Sequence, residues 1–318
     1  MKEIEPQNNL YTIAFYNLEN LFDTVDDPNT LDHDFTPEGK KKWNNKRYKR
    51  KIKKMASVIS QIGVKESGFP PAVIGLAEVE NKNVLEDLIN SDSLQKFDYE
   101  IVHFDSSDER GIEVAMLYRK KIFNFIDANT FTLLITNEEG QRDYTRDVLM
   151  VKGELQGELF YFIVNHWPSR REGKNETEYK RIAAANLVHQ IIDKIRKEST
   201  DSLIMIMGDF NDDPSSNSIK EHLITHEVYN PFESILAKGK GSLNHQGKWH
   251  LFDQIIVSKN MLNNHEFTFD NAYIFDEHFL REWKGKYKGN PFRTYIGKWH
   301  QGGFSDHFPV YITLEKNE

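Results

Sequence analysis

Six short runs of this chain set acids, amides and imidazoles at the ends of apolar stretches. The most informative is Gly208-Asp209-Phe210-Asn211-Asp212, which follows Ser202-Leu203-Ile204-Met205-Ile206-Met207. A short, continuously apolar stretch of this kind predicts a buried strand. The glycine is expected to end it and let the backbone turn closely. Asp209 and Asn211 then emerge at the strand's C-terminal end, where open α/β sheets place their ligands. Asp209 can hold a metal-bound water or take its proton. Asn211 is neutral and can donate to a phosphoryl oxygen without repelling it. This division of labour suits hydrolysis of a phosphate ester.

The other five runs extend the pattern. Ser305-Asp306-His307-Phe308-Pro309 offers a hard oxygen ligand in Asp306 and, in His307, a base that works near neutral pH. Ile74-Gly75-Leu76-Ala77-Glu78 delivers Glu78 at the end of an apolar strand. A helix is expected to begin near Lys82, where Asn81 is the better cap, so Glu78 is not needed there. Asn17 and Glu19 follow the strand-like residues 11–16 and would share one face of an extended chain. His166 lies in Asn165-His166-Trp167-Pro168-Ser169-Arg170, and Asp253 in Leu251-Phe252-Asp253-Gln254. A carboxylate behind an imidazole fixes its tautomer and favours its protonated form.

In this order, the six runs resemble the endonuclease/exonuclease/phosphatase superfamily, whose members include pancreatic deoxyribonuclease, abasic-site endonucleases, neutral sphingomyelinases and inositol polyphosphate 5-phosphatases. The resemblance extends from about Tyr11 to Leu314 and is similar to a bacterial branch known chiefly by the superfamily name. It implies a deoxyribonuclease I-like fold, an α/β (α+β) four-layer sandwich of two mixed, mainly antiparallel sheets flanked by helices. It implies Glu78 as principal ligand of Mg²⁺ (or Mn²⁺), and Asn17 as the residue that orients the metal-binding carboxylate and the phosphate. Abasic-site endonucleases carry an aspartate where this chain has Glu19. His166 matches a phosphate-contacting histidine, and Asp253 matches the partner of His307. Asp306, Asn17 and Glu19 are expected to help Glu78 hold the metal. Arg170 and Arg171 are expected to contact the phosphate or a distal substrate group, Arg293 to face the site, and Arg181 to do so or to lie on a helix surface. Glu80 and Glu113 are expected to be surface or supporting groups.

The implied reaction is in-line attack of an activated water on phosphorus. The base is Asp209 or the Asp253–His307 pair, with Asn211 and His166 stabilising the pentacovalent state. Nucleic acid is the first substrate expectation. The alternatives are a sphingomyelinase- or phospholipase C-like enzyme acting on a lipid head group, with Phe275, Phe279, Leu280 and Trp283 against lipid, or a small-molecule phosphatase. The 5-phosphatases carry Trp-Cys-Asp-Arg where this chain reads Trp249-His250-Leu251-Phe252-Asp253-Gln254, which disfavours an inositol phosphatase. A polyanion-binding protein without turnover is the remote alternative. No protein partner is predicted.

The elements that must position these residues follow from periodicity. Strands are predicted over residues 100–104, 112–118, 148–153, 159–165, 252–258, 266–274 and 310–314. A helix is predicted over 176–197. Residues 40–54 are densely basic, and Trp43, Tyr48, Ile52, Met55 and Ile59 recur at helical spacing. The reading is an amphipathic helix with solvated charges, or else an electrostatic lane for a polyanion. The chain has 318 residues, room for one large domain, and site residues from Asn17 to His307 favour a single unit over 1–318 with its core at about 11–314. Without cysteine it can form neither disulfides nor thiolate metal sites. No run of about 18 apolar residues predicts a membrane span. Residues 1–7 lack the apolar core of a signal peptide, so the expectation is a cytoplasmic protein, or one exported by a leader not in this sequence. The net charge of −8 disfavours gripping nucleic acid by bulk charge, although bound Mg²⁺ reverses the local sign.

Overall fold

The computed structural model describes residues 9–137, 139–263 and 266–317. Residues 1–8, on which the reading of the N-terminus rests, lie outside them.

Apolar runs covered on both faces make the central strands. β1 (Leu10–Leu21), β2 (Val73–Val79), β3 (Tyr99–His103) and β4 (Glu113–Arg119) join the late strands β11 (Phe267–Ile274) and β12 (Val310–Lys316) in one six-stranded sheet, ordered β11-β12-β1-β2-β4-β3. The second sheet contains β5 (Phe123–Phe131), β6 (Val148–Leu155), β7 (Glu158–His166), β8 (Leu203–Asp209), β9 (Val228–Tyr229) and β10 (Asp253–Ser258), ordered β9-β10-β8-β7-β6-β5. Each sheet has one parallel pair, β1 with β2 and β7 with β8, and every other pairing in the two is antiparallel. The parallel pairs need crossovers, as parallel strands must. Helix α1 (Asn45–Ile59) lies on the chain between β1 and β2, and the long helix (Glu178–Glu198) between β7 and β8. The short helix after β2 is α2 (Lys82–Ile89), and the long one is α3.

Three apolar clusters hold the layers together. Phe15, Val73, Met116, Phe160, Phe162, Met205 and Val257 pack between the sheets. Met55, Ile59, Leu76 and Leu85 seal α1 and α2 onto the first sheet. Val188, Ile192, Ile206 and Ile256 seal α3 onto the second. The expected four-layer α/β sandwich is the observed one.

The residue patterns explain the local boundaries. Asn44 caps α1 by accepting from the Arg47 amide, so Trp43 precedes the helix and donates its indole N–H to the Phe22 carbonyl at 3.0 Å. Asn81 caps α2 through the Val84 amide, as its position predicts. Lys51, expected on the solvated face of α1, is instead buried, and its ammonium donates to Thr294 Oγ1 at 2.6 Å and to the Phe304 carbonyl. Residues 123–131 gave no strand signal, yet form the edge strand β5. Their Asn and Asp are poor strand formers, and most of the strand is not buried, so no apolar face marks it.

Gly208 lies inside β8 rather than ending it. What it provides is close approach, because a Cβ there would stand 2.4 Å from the Asn165 carbonyl oxygen and 2.7 Å from Asn165 Cβ on β7. Gly208→Ala is therefore expected to destabilise the fold by about 1–3 kcal/mol in urea unfolding, through overpacking of the β7–β8 pair. An unchanged midpoint would mean that the two strands can separate at no cost.

Candidate active site

The C-terminal ends of the two parallel pairs meet. β1 brings Asn17 and Glu19, β2 brings Glu78, β7 ends on His166 and β8 on Asp209. In each sheet an antiparallel neighbour enters at the same end. β10 begins at Asp253, which is in register with Asp209, and β12 begins three residues after His307.

β1 does not stay extended. Its register with β2 slips between Asn17 and Leu21, and Glu19 and Asn20 both take left-handed backbone at φ 51°. The shared strand face expected for Asn17 and Glu19 is thus replaced by a bulge, in which Asn17 Oδ1 accepts from the Glu19 amide at 2.9 Å. The bulge turns the Asn20 amide onto Glu78 Oε2 at 2.8 Å. Glu78 and Asn211 are left-handed too, at φ 62° and 50°. Left-handed backbone is uncommon outside glycine and collects at functional sites.

Asn17 Nδ2 donates to Asp209 Oδ2 at 3.0 Å, and Asp209 Oδ1 accepts from the Asn211 amide at 2.9 Å. His166 Nε2 lies 3.8 Å from Asp209 Oδ2 and 3.9 Å from Glu78 Oε1, and His307 Nε2 lies 3.9 Å from Asp209 Oδ2. Asp209 therefore stands between two imidazoles. Asn211 Nδ2 donates to the Trp167 carbonyl at 2.9 Å. His307 Nδ1 bonds to Asp253 Oδ2 at 2.7 Å, and Ser242 donates to the same oxygen at 2.5 Å. Ser305 carries the loop before His307 by donating to the Asn17 carbonyl and accepting from the His307 amide.

The two imidazoles are driven apart electrostatically. Burial lowers the pKa of His166, and Arg146 and Arg110 push it further, to well below the ordinary value. Its buried Nδ1 has no hydrogen-bond partner. The carboxylates facing Nε2 place the single proton there. Burial would lower His307 as well, but Asp253 and then Asp209 hold it well above the ordinary value. One imidazole is neutral and the other cationic. Burial raises the Asp209 carboxyl to about 6 against the pull of His307.

Asp209, Asp253 and His307 bring ligand atoms within 4.8 Å of one another. A cationic imidazole bonded to one of these carboxylates makes an acid–base group and repels a metal ion. Glu78, whose Oε1 lies 3.9 Å from His166 Nε2, and Asp306 carry oxygen donors that could hold a hard cation. Asn17 and Glu19, expected among the ligands, already hold hydrogen bonds, as Glu78 does with the Asn20 amide and Asp306 with Arg293. Both polar atoms of the Asn17 amide are bonded. Glu19 is buried and accepts from the Thr294 and Tyr295 amides at 2.5 and 3.3 Å. Burial, then Asp306, raises the Glu19 carboxyl to about 7. Arg293 joins the two, with 2.7 Å to Asp306 Oδ2 and 3.6 Å to Glu19 Oε1.

Arg170 and Arg181 differ from expectation. Arg170 Nε donates to Asp212 Oδ1 at 2.9 Å, and its guanidinium lies over the Phe252 ring. Arg181 is wholly buried, with Nε 2.7 Å from Asp212 Oδ2, so it is not on a helix surface. Asp212 organises the loop after β8, a role for which its sequence carries no signal beyond the adjacent motif. Glu113 is buried rather than superficial, with its carboxyl raised by burial to about 7. Arg171 remains exposed and lines a cavity of about 200 Å³ with Arg110, Arg146, Asp108 and Ser169.

Known proteins share this architecture. The family model for the endonuclease/exonuclease/phosphatase family matches residues 12–316. D. rerio TDP2, solved with a single-stranded DNA product, is similar at TM-score 0.59 and 15% identity, over 96% of this chain and 98% of that one. Truncated Caenorhabditis elegans TDP2 gives 0.60 and 17%, over 96% and 97%. A Bacteroides thetaiotaomicron mannosyl-6-phosphatase gives 0.57 and 18%, over 96% and 99%. No curated protein sequence matches significantly.

Imidazole NMR of the metal-free protein is expected to show His166 neutral and His307 protonated at pH 7. Asp253→Asn is expected to lower the His307 pKa and leave His166 neutral. In linkage terms, a pKa raised on folding gives stability that is complete below about pH 6.5 and lost as pH rises through the folded value. Similar titration of both imidazoles would contradict this electrostatic division.

Proposed function

The chain belongs to the endonuclease/exonuclease/phosphatase family, and from that membership we propose that it hydrolyses phosphodiesters, with nucleic acid as the substrate class. The observation that carries the reading is Asp209 placed between a neutral and a cationic imidazole, 3.8 and 3.9 Å away. Titratable groups pushed apart in this way mark acid–base assignments.

Glu78 and Asp306 would hold a divalent cation, and their all-oxygen donor set suits Mg²⁺ or Mn²⁺. When bound, the ion supplies Lewis-acid stabilisation to a phosphoryl oxygen and to the departing oxyanion. Asn17 and Glu19 stand behind this set as positioning groups. Asp209, held by Asn17 and by the Asn211 amide, accepts a proton from the attacking water. The new P–O bond forms as the opposite ester bond breaks in line. His307, kept cationic by Asp253, offsets charge gathering on the phosphoryl oxygens. His166 donates to the same oxygens through Nε2–H. The base role thus goes to Asp209 rather than to His307, because an imidazolium has no lone pair to accept the proton.

Arg171 and the adjoining cavity receive the substrate beyond the reacting phosphate, and Arg170 supports them through Asp212. Nucleic acid is favoured over lipid because two of the four residues considered for lipid contact, Phe275 and Leu280, are buried in the core. Lys46, Lys49, Arg50 and Lys53 on α1 and the exposed Trp283 and Trp299 suit a polyanion with stacking bases. D. rerio TDP2 with its single-stranded DNA product supports the same reading.

Hydrolysis of bis-p-nitrophenyl phosphate with Mg²⁺ or Mn²⁺ is expected, with loss in EDTA. Glu78→Gln and His307→Ala are each expected to lower kcat by about 10²–10⁴. Arg171→Ala is expected to raise KM for oligonucleotides more than it changes kcat. Cleavage of p-nitrophenyl phosphate alone would make the protein a phosphomonoesterase, and full activity of Glu78→Gln would sink the ligand assignment.

A further inference from the structure

A second group of ligating side chains lies in the loop between β1 and α1. Asp26, Asp32 and His33 bring one ligand atom each within 4.8 Å of the others. Asp26 and His33 are at the surface, with His33 Nδ1 3.5 Å from Asp26 Oδ1. Asp32 is only 2% exposed. Its Oδ2 accepts one hydrogen bond, from the Asp27 amide at 3.1 Å, while its Oδ1 is buried with no hydrogen-bond partner. Among the described residues no lysine or arginine forms an ion pair with Asp32. Its loop also carries Asp23, Asp26, Asp27 and Asp34, and Glu80 reaches the loop by accepting from the Asp23 amide at 2.5 Å. A buried carboxylate that lacks a counter-charge among other acids is costly.

The loop is held in place by contacts outside the group. The Leu31 amide donates to the Glu109 carbonyl at 2.8 Å. Phe35 packs on Phe22 with ring centroids 4.6 Å apart and on Trp43 at 6.4 Å. The backbone on either side of Asp32 and His33 is thus held by the fold.

We propose that Asp26, Asp32 and His33 bind a divalent transition cation, with Zn²⁺ as the best fit. Two carboxylate oxygens and one imidazole nitrogen suit Zn²⁺, whereas Mg²⁺ takes oxygen ligands. Zn–ligand bonds of about 2.0–2.2 Å draw the exposed Asp26 and His33 inward onto the fixed Asp32. The remaining coordination positions face water. The ion neutralises the two carboxylates and cross-links the loop that leads from β1 into α1.

The test is Zn²⁺ binding to the full chain by equilibrium dialysis in excess Mg²⁺. Wild type is expected to bind one Zn²⁺ more than Asp26→Asn/His33→Ala, whose altered side chains are exposed and leave the core untouched. Glu78→Gln is expected to keep that ion, which separates this site from the catalytic one. Zn²⁺ is also expected to raise the Tm of wild type and not that of the double variant. Equal Zn²⁺ counts in wild type and the double variant, or loss of the ion in Glu78→Gln, would overturn the proposal.

Discussion

The hydrogen bond from Asn17 to Asp209 ties the end of one sheet to the end of the other across 192 positions of sequence. Neither residue works alone in the proposed chemistry. The bond holds only if both sheets keep their register and their face-to-face packing, because a one-residue slip would turn either side chain to the opposite face. The apolar layer between the sheets is therefore part of the site. Gly208 belongs to the same requirement, since it lets β8 approach β7 and brings Asp209 level with His166.

Around that junction the sandwich has a repeated logic. Each sheet supplies a parallel pair with a helix between its strands, and each pair delivers its polar residues at its C-terminal end. Each also has an antiparallel neighbour entering there, with Asp253 from one sheet and His307 from the approach to the other. Their 2.7 Å contact is a second tie between the sheets. The electrostatics follow from this placement. Asp253 and then Asp209 hold His307 cationic against its burial, whereas burial, with Arg146 and Arg110 adding to it, holds His166 neutral.

Much of this was legible in the chain. Strands buried on both faces read as continuous apolar runs, so polar residues at their ends, such as Glu78 and Asp209, stand out, whereas His166, Asp253 and His307 drew their expected roles from the resemblance to the superfamily. The cap of α2 follows from Asn81 just before the helical periodicity, whereas α1 starts later than its basic run suggests, with Trp43 ahead of the cap Asn44. What was hidden depends on tertiary partners. No local pattern distinguishes Lys51 from the solvated lysines around it, and its burial is decided by Thr294 and Phe304, far along the chain. The bulge that separates Asn17 from Glu19 depends on Glu78 receiving the Asn20 amide. Arg170 and Arg181 look available for phosphate until Asp212 is seen between them. β5 escaped notice because an edge strand without a buried face has no periodic signal.

The central claim is that one phosphate is gripped where the two sheets end, by His166 and His307 beside Asp209, with a cation on Glu78 and Asp306. The most direct measurement is a crystal structure with Mn²⁺ and a non-hydrolysable phosphorothioate diester, with anomalous scattering recorded at the manganese edge. The account predicts an anomalous peak in contact with Glu78 and Asp306, and the phosphorus between the two imidazoles within reach of a water on Asp209. Manganese absent from Glu78, or a diester bound away from His166 and His307, would contradict it.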